Sequence, residues 1–194
     1  MHKADDEATE FKISAASRID AEGMAQVHVD TWRTTYKGIV PDAHLESLSY
    51  EKRSALWSQV IAEQRPRYHV WVVKNKSDAV IGFSDGGENR DRSLPFDGEI
   101  YAIYLRKEFQ GLGVGKRLFL DSFEQLYRHG FTSALVWVLE DNPTRKFYEA
   151  MGGEIAGRKW IEIGGKRLQE IAYGWEDLRA VLQKFRPELR HSST

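Results

Sequence analysis

The stretch of this chain whose residue types and spacing most plainly could do chemistry is Gln110-Gly111-Leu112-Gly113-Val114-Gly115-Lys116. Glycines at alternate positions keep Cβ atoms away from the backbone, so successive N–H groups at a helix start can converge on an anion. The ligand this suggests is a phosphate. A Walker loop would need a glycine five residues before the Gly-Lys pair and a hydroxyl residue after it, where this chain has Gln110 and Arg117. The dinucleotide fingerprint would need a third glycine where Lys116 stands. Both nucleotide patterns therefore fail on spacing.

The elements that must position this loop are legible on either side of it. Within the stretch from Gly98, Ile100 to Leu105 is a β-branched and aromatic run that predicts a strand. Val114, Leu118, Phe119, Phe123 and Leu126 recur at helical spacing and predict a helix running to about His129. A crossover helix of this kind implies that the next strand, Ala134 to Leu139, lies parallel to the first.

Two motifs carry a family resemblance. The loop resembles the Gln-Gly-x-Gly-x-Gly/Ala loop of the GNAT superfamily of acyl-CoA-dependent N-acetyltransferases, and Ile103-Tyr104-Leu105-Arg106-Lys107-Glu108-Phe109 resembles the strand and turn before it. Further on, Val136 to Gly153 is similar to the family's later motif: a strand, an Asn-containing turn at Asn142, and a Phe147-Tyr148-Glu149 helix closed by Gly152-Gly153. The glycine pair also reads simply as a helix C-cap. One departure stands out. The chain has one residue fewer between Asn142 and Tyr148 than the commoner family spacing, and Pro143 stiffens the turn.

The resemblance implies a site. Two central parallel strands splay, and the pantetheine arm of acetyl-CoA lies in the gap against the main chain of Ile103, Tyr104 and Leu105. Gln110 and the Gly111, Leu112, Gly113, Val114, Gly115, Lys116 run would hold the pyrophosphate, and Asn142 would reach the arm. Tyr148 matches the tyrosine that gives a proton or hydrogen bond to the leaving sulfur. Glu99 matches the position from which some members deprotonate the amine, although a carboxylate at a strand edge is as readily a solvated one. The oxyanion would meet the N–H of Tyr104 or Leu105. Trp32 and Tyr36, one helical turn apart, resemble a Trp-x-x-x-Tyr-x-Gly-x-x-Pro signature that borders the acceptor pocket in one branch, with core packing as the first alternative.

Read in order, the rest of the chain predicts a strand over 11–15, a helix capped by Asp20, helices over 42–48 and 50–63 with Leu56, Val60 and Ile61 buried, and a hairpin of strands over 68–74 and 79–85. A loop over 86–95 follows, whose acidic surroundings (Asp85, Glu88, Asp91 and Asp97) could attract an amine. Strands over 155–163 and 167–175 turn at Gly164-Gly165, and a last helix covers 176–185. The fold class is α/β: a GNAT fold with a mixed, mostly antiparallel sheet of about seven strands and helices on both faces. One domain over 10–186 is expected, with tails at 1–9 and 187–194.

Bulk properties narrow the function. With 194 residues, 41% hydrophobic and 29% charged, the chain has the balance of an ordinary globule. A net charge of −1 argues against nucleic acid or a membrane surface as the main partner. No apolar run could span a bilayer, and Met1 to Glu10 lacks the apolar core of a secretion signal, so a cytoplasmic location is expected. Cysteine is absent, which removes thiolate metal sites and a thioester on the enzyme itself. The six histidines form no ligand cluster, so no metal is expected. The reading is an N-acetyltransferase using acetyl-CoA and a primary amine of a small molecule, by direct attack in a ternary complex. Protein or peptide acetylation and a non-catalytic acyl-CoA sensor are the alternatives. A homodimer is an expectation by family analogy alone.

Overall fold

The computed structural model describes residues 10–186, so the expected tails lie outside the described residues. Seven strands form one sheet in the order β1-β2-β3-β4-β5-β7-β6. They are β1 (Phe11–Ala15), β2 (His69–Asn75), β3 (Val80–Glu88), β4 (Gly98–Leu105), β5 (Ala134–Leu139), β6 (Glu154–Ile163) and β7 (Lys166–Trp175). Every neighbouring pair is antiparallel except β4 and β5, which are parallel. A parallel pair needs a crossover, and helix α4 (Val114–Arg128) supplies it.

Helices cover both faces. On one, Phe119, Phe123 and Leu126 of α4 and Leu182 of the last helix share a core with Ile100, Val136 and Tyr173. Ser122 of α4 and Ser84 of β3 meet hydroxyl to hydroxyl at 2.5 Å, fully buried, which fixes the helix against the sheet. On the other face, Met24 and Val27 of α1 (Ala21–Thr35) and Trp57 of α3 (Tyr50–Glu63) pack on Val72 and Phe83. A short α2 (Asp42–Glu46) follows α1, α5 (Arg145–Ala150) follows β5, and α6 (Leu178–Phe185) closes the described chain.

Four expectations are corrected. Asp20 does not cap α1 with its side chain. Its Oδ2 accepts from the Ser17 N–H and hydroxyl, each at 2.8 Å, and its Oδ1 pairs with Lys74 at 2.7 Å. In α3 the buried residue is Trp57, while Leu56 is exposed. Strand β3 runs on through Gly86 and Gly87, because glycines let the chain lie close to β4: a Cβ on Gly86 would stand 2.6 Å from the Glu99 carbonyl oxygen. Asp85 is therefore not near an exposed loop; it is buried and accepts from Tyr68 at 2.8 Å.

The acids around the loop after β3 also have structural duties. Asp91 accepts from Ser93, and Glu88 pairs with Arg92. Asp97 takes both the N–H and the hydroxyl of Thr132 and of Ser133, which fastens the start of β4 beside the start of β5.

Candidate active site

Beyond that clamp the two parallel strands separate. They pair only as Gly98 with Ala134, Glu99 with Leu135 and Ile100 with Val136, yet both continue, to Leu105 and Leu139. A bulge accompanies the parting: Ile100 faces Gly86 and Ala102 faces Asp85, so Tyr101 has no partner in β3. Such an extra residue bends its strand. The result is a cleft of about 520 Å³ between the strands, into which Tyr101, Ala102, Ile103, Tyr104 and Leu105 face from one side and Val136, Trp137 and Val138 from the other.

At one end of the cleft lies the glycine loop. Gly111 has φ +77° and Gly113 φ +81°, left-handed values that an L side chain resists. Gly113 is the N-cap of α4, and no side chain caps the helix there. The N–H groups of the first turn have no acceptor within a helix, and together with the dipole they present a positive end to the cleft. Gln110 ties the loop to the strand by donating from Nε2 to the Leu105 carbonyl at 3.1 Å. Gly111, Gly113, Gly115 and Lys116 line the cleft with Gln110. Leu112 and Val114 do not: Leu112 points to solvent and Val114 is buried against Leu105 and Leu118. Arg117 lies over the Phe11 ring, on β1.

Tyr148, Asn142 and Tyr36 line the same cleft. Tyr148 is 4% exposed, held among Phe119, Phe147, Tyr173 and Trp175, and its hydroxyl has no hydrogen-bond partner among the described residues. Burial raises its pKa well above that of free tyrosine, with a further push from Tyr36, so it stays protonated at neutral pH. Burial likewise lifts Tyr36 to about 12. Asn142 accepts from the Thr144 N–H at 2.9 Å and donates to the Tyr36 hydroxyl at 3.5 Å, so it shapes the turn and reaches across to α1. The α5 helix begins only at Arg145, after the turn that Asn142 and Pro143 make.

The sequence-predicted residues thus separate into two groups. Ile103, Tyr104, Leu105, Gln110, Gly111, Gly113, Gly115, Lys116, Asn142, Tyr148 and Tyr36 come to one cleft. Trp32 stands behind its wall, where Nε1 donates to the Tyr104 hydroxyl at 3.0 Å and its ring lies 4.8 Å from that of Tyr36. Glu99 is 1% exposed and outside the cleft lining. Arg90 takes both its oxygens, with Nη2 to Oε1 at 2.5 Å and the backbone N–H to Oε2 at 2.9 Å. Lone pairs committed to a guanidinium are not placed to receive an amine proton. Thr31, Thr35, Tyr101 and Trp137 also line the cleft and were not singled out from sequence. The helical spacing of Thr31 and Thr35 was a readable signal, while the bulge that turns Tyr101 was not.

No group of three or more metal-ligating side chains occurs among the described residues. No helix among them is long and apolar enough to cross a membrane.

Comparison with known proteins agrees with this geometry. The model of the acetyltransferase (GNAT) family matches residues 26–153. An uncharacterized N-acetyltransferase of Bacillus subtilis, YuaI, is 41% identical over 87% of this chain and 95% of its own. A spermidine N(1)-acetyltransferase of Thermoplasma acidophilum is 23% identical over 68% of this chain and 80% of its own. Among solved structures, the PaiA N-acetyltransferase of T. acidophilum in complex with coenzyme A superposes with a TM-score of 0.69. It is 19% identical, and the match covers 86% of this chain and 99% of that one.

Proposed function

The chain belongs to the acetyltransferase (GNAT) family, and on that premise we propose that it transfers an acetyl group from acetyl-CoA to a primary amine of a small molecule. The observation that carries this reading is the unpartnered, protonated Tyr148 hydroxyl, set across the splayed strands from an uncapped glycine loop. Backbone N–H groups of the loop and Lys116 hold the pyrophosphate, and the free edge of β4 from Ile103 to Leu105 hydrogen-bonds the pantetheine arm. Bound acetyl-CoA supplies the activated acyl group. The N–H of Tyr104 or Leu105 stabilises the charge that develops on the acyl oxygen as a C–N bond forms and the C–S bond breaks. Tyr148 gives its proton to the departing sulfur and recovers one from solvent.

Glu99 is assigned a positioning role: it holds Arg90 in place, and the proton of the attacking amine leaves through water in the cleft mouth. The test is release of free thiol from acetyl-CoA with a panel of primary amines, alongside thermal unfolding with acetyl-CoA, ATP or NADH. Turnover with a stabilisation specific to acetyl-CoA is the expected result. Stabilisation without turnover of any amine would favour an acyl-CoA sensor, and no stabilisation would refute the cofactor assignment.

A further inference from the structure

Beside the cleft, and sharing Trp137 with it, is a second hollow lined by Arg90, Asp91, Arg92, Glu99, Trp137 and Lys159. Its one aromatic lining residue is Trp137, while Tyr101 lines the neighbouring cleft, and each of these rings carries a cation of this chain. The Arg90 guanidinium lies 4.1 Å from the Tyr101 ring centre, and the Lys159 ammonium 3.8 Å from that of Trp137. An aromatic face so covered cannot also receive an ammonium from an acceptor.

The charges are layered. Arg90 and Lys159 have side chains 62% and 38% exposed, whereas the carboxylates that pair with them, Glu99 and Glu170, are 2% and 19% exposed and lie beneath. Of the other charged lining residues, Asp91 accepts from the Ser93 N–H and hydroxyl through Oδ1 and feels the charge of Lys159, and Arg92 is paired with Glu88. An incoming molecule therefore meets N–H donors of Arg90 and Lys159 ahead of the Glu99 and Glu170 carboxylates that lie beneath them. Nη1 of Arg90 makes none of the contacts to Glu99, which use Nε and Nη2.

From this layering we propose that the acceptor carries a carboxylate beside its amine, an amino-acid-type molecule whose anionic group sits between Arg90 and Lys159. The proposal deepens the acetyltransferase reading and rests on it for the reaction. Binding of the acceptor can nevertheless be read without turnover. Polyamines, which bring a second cation to this rim, are disfavoured.

The experiment uses matched pairs differing by one carboxylate, phenylalanine with phenethylamine and methionine with 3-(methylthio)propylamine, together with spermidine. Calorimetry on the coenzyme-A-loaded protein measures affinity, and thiol release from acetyl-CoA measures kcat/KM. The carboxylate-bearing member of each pair is expected to bind at least tenfold more tightly, with spermidine weakest. Lys159→Gln should bring each pair to within about threefold through KM rather than kcat, and Lys159→Arg should restore the preference. Lys159 is partly exposed, so neither variant threatens the fold; Arg90→Gln would strand buried Glu99 and is the less informative change. Tighter binding of spermidine or of the decarboxylated amines, a preference unmoved by Lys159→Gln, or no binding of any of these compounds would overturn the proposal. A binding preference that holds while no amine is turned over would refute the transferase reading and leave the anion-selective rim standing.

Discussion

Replacing Gly115 by alanine should stabilise the protein and leave its hold on coenzyme A unchanged. Gly115 is the second residue of α4 and is not among the positive-φ glycines, unlike Gly111 and Gly113 before it. A Cβ there would meet only Leu105 Cδ2, at 3.7 Å, which is ordinary contact. The folded protein thus has no need of glycine at 115. Alanine in a helix is favoured over glycine by roughly 0.5–1 kcal/mol, reduced near a helix start, which in a chain of this size raises the melting midpoint by about 1–4 °C. The ligand makes no such demand either, because the family loop that this one resembles carries glycine or alanine at this position. Position 115 lines the cleft, but a single methyl group there leaves the first-turn N–H groups open to a pyrophosphate. Were it to block them, losing even one or two charge-assisted hydrogen bonds would cost about 1.5–3 kcal/mol each, a drop in affinity of tenfold or more. Scanning calorimetry of the free protein and titration with coenzyme A read the two effects separately. A variant that loses tenfold or more in affinity, or that gains no stability, would refute this reasoning.

Other outcomes follow from features already described. Tyr148→Phe should lower kcat by about a hundredfold or more while leaving acetyl-CoA affinity within about twofold, as measured by thiol release and calorimetry. Gly86→Ala places a methyl group 2.6 Å from the backbone oxygen of Glu99 and should cost about 1–3 kcal/mol in a urea titration. Burial lowers His28 and His69 to about 3, and neither has a partner for its ring nitrogens. Their contribution is present above the ordinary histidine pKa and is lost as pH falls. Burial lifts Asp85 to about 7, so its contribution is full below the ordinary carboxylate range and is lost as pH rises through 7. Between about pH 6 and 4 the unfolded chain holds two more protons at the histidines and the native chain one more at Asp85. Stability should therefore fall by about 1.4 kcal/mol per pH unit on acidification, and by about twice that in Asp85→Asn.

What could be read from sequence was what is local. The run from Gly98 to Arg128 declares its strand, turn and helix by period and by glycine placement, and the structure follows it to within a residue or two. Leu56 and Trp57 are adjacent on one helix, and choosing the buried one requires knowing that Phe83 waits across the interface. Gly86 and Gly87 resemble a loop because the reason for them, the closeness of the Glu99 carbonyl, belongs to another strand. Glu99 itself looked like a free carboxylate at a strand edge. That Arg90 would return across the intervening loop to take both its oxygens depends on the path of that loop, which no spacing reveals.

The short parallel ladder has a further consequence for how the molecule opens. The strands from β1 to β4 and those from β5 to β7 are each contiguous antiparallel units, yet within the sheet they meet through three residue pairs and the Asp97 clamp. Past Ile100 the facing edges have no partners in one another, and backbone amides without a partner exchange with solvent freely. A ligand hydrogen-bonded along β4 would serve as an inserted strand. Hydrogen exchange should then slow selectively over residues 101–105 and 137–139 when coenzyme A is added, joining two cooperative units into one.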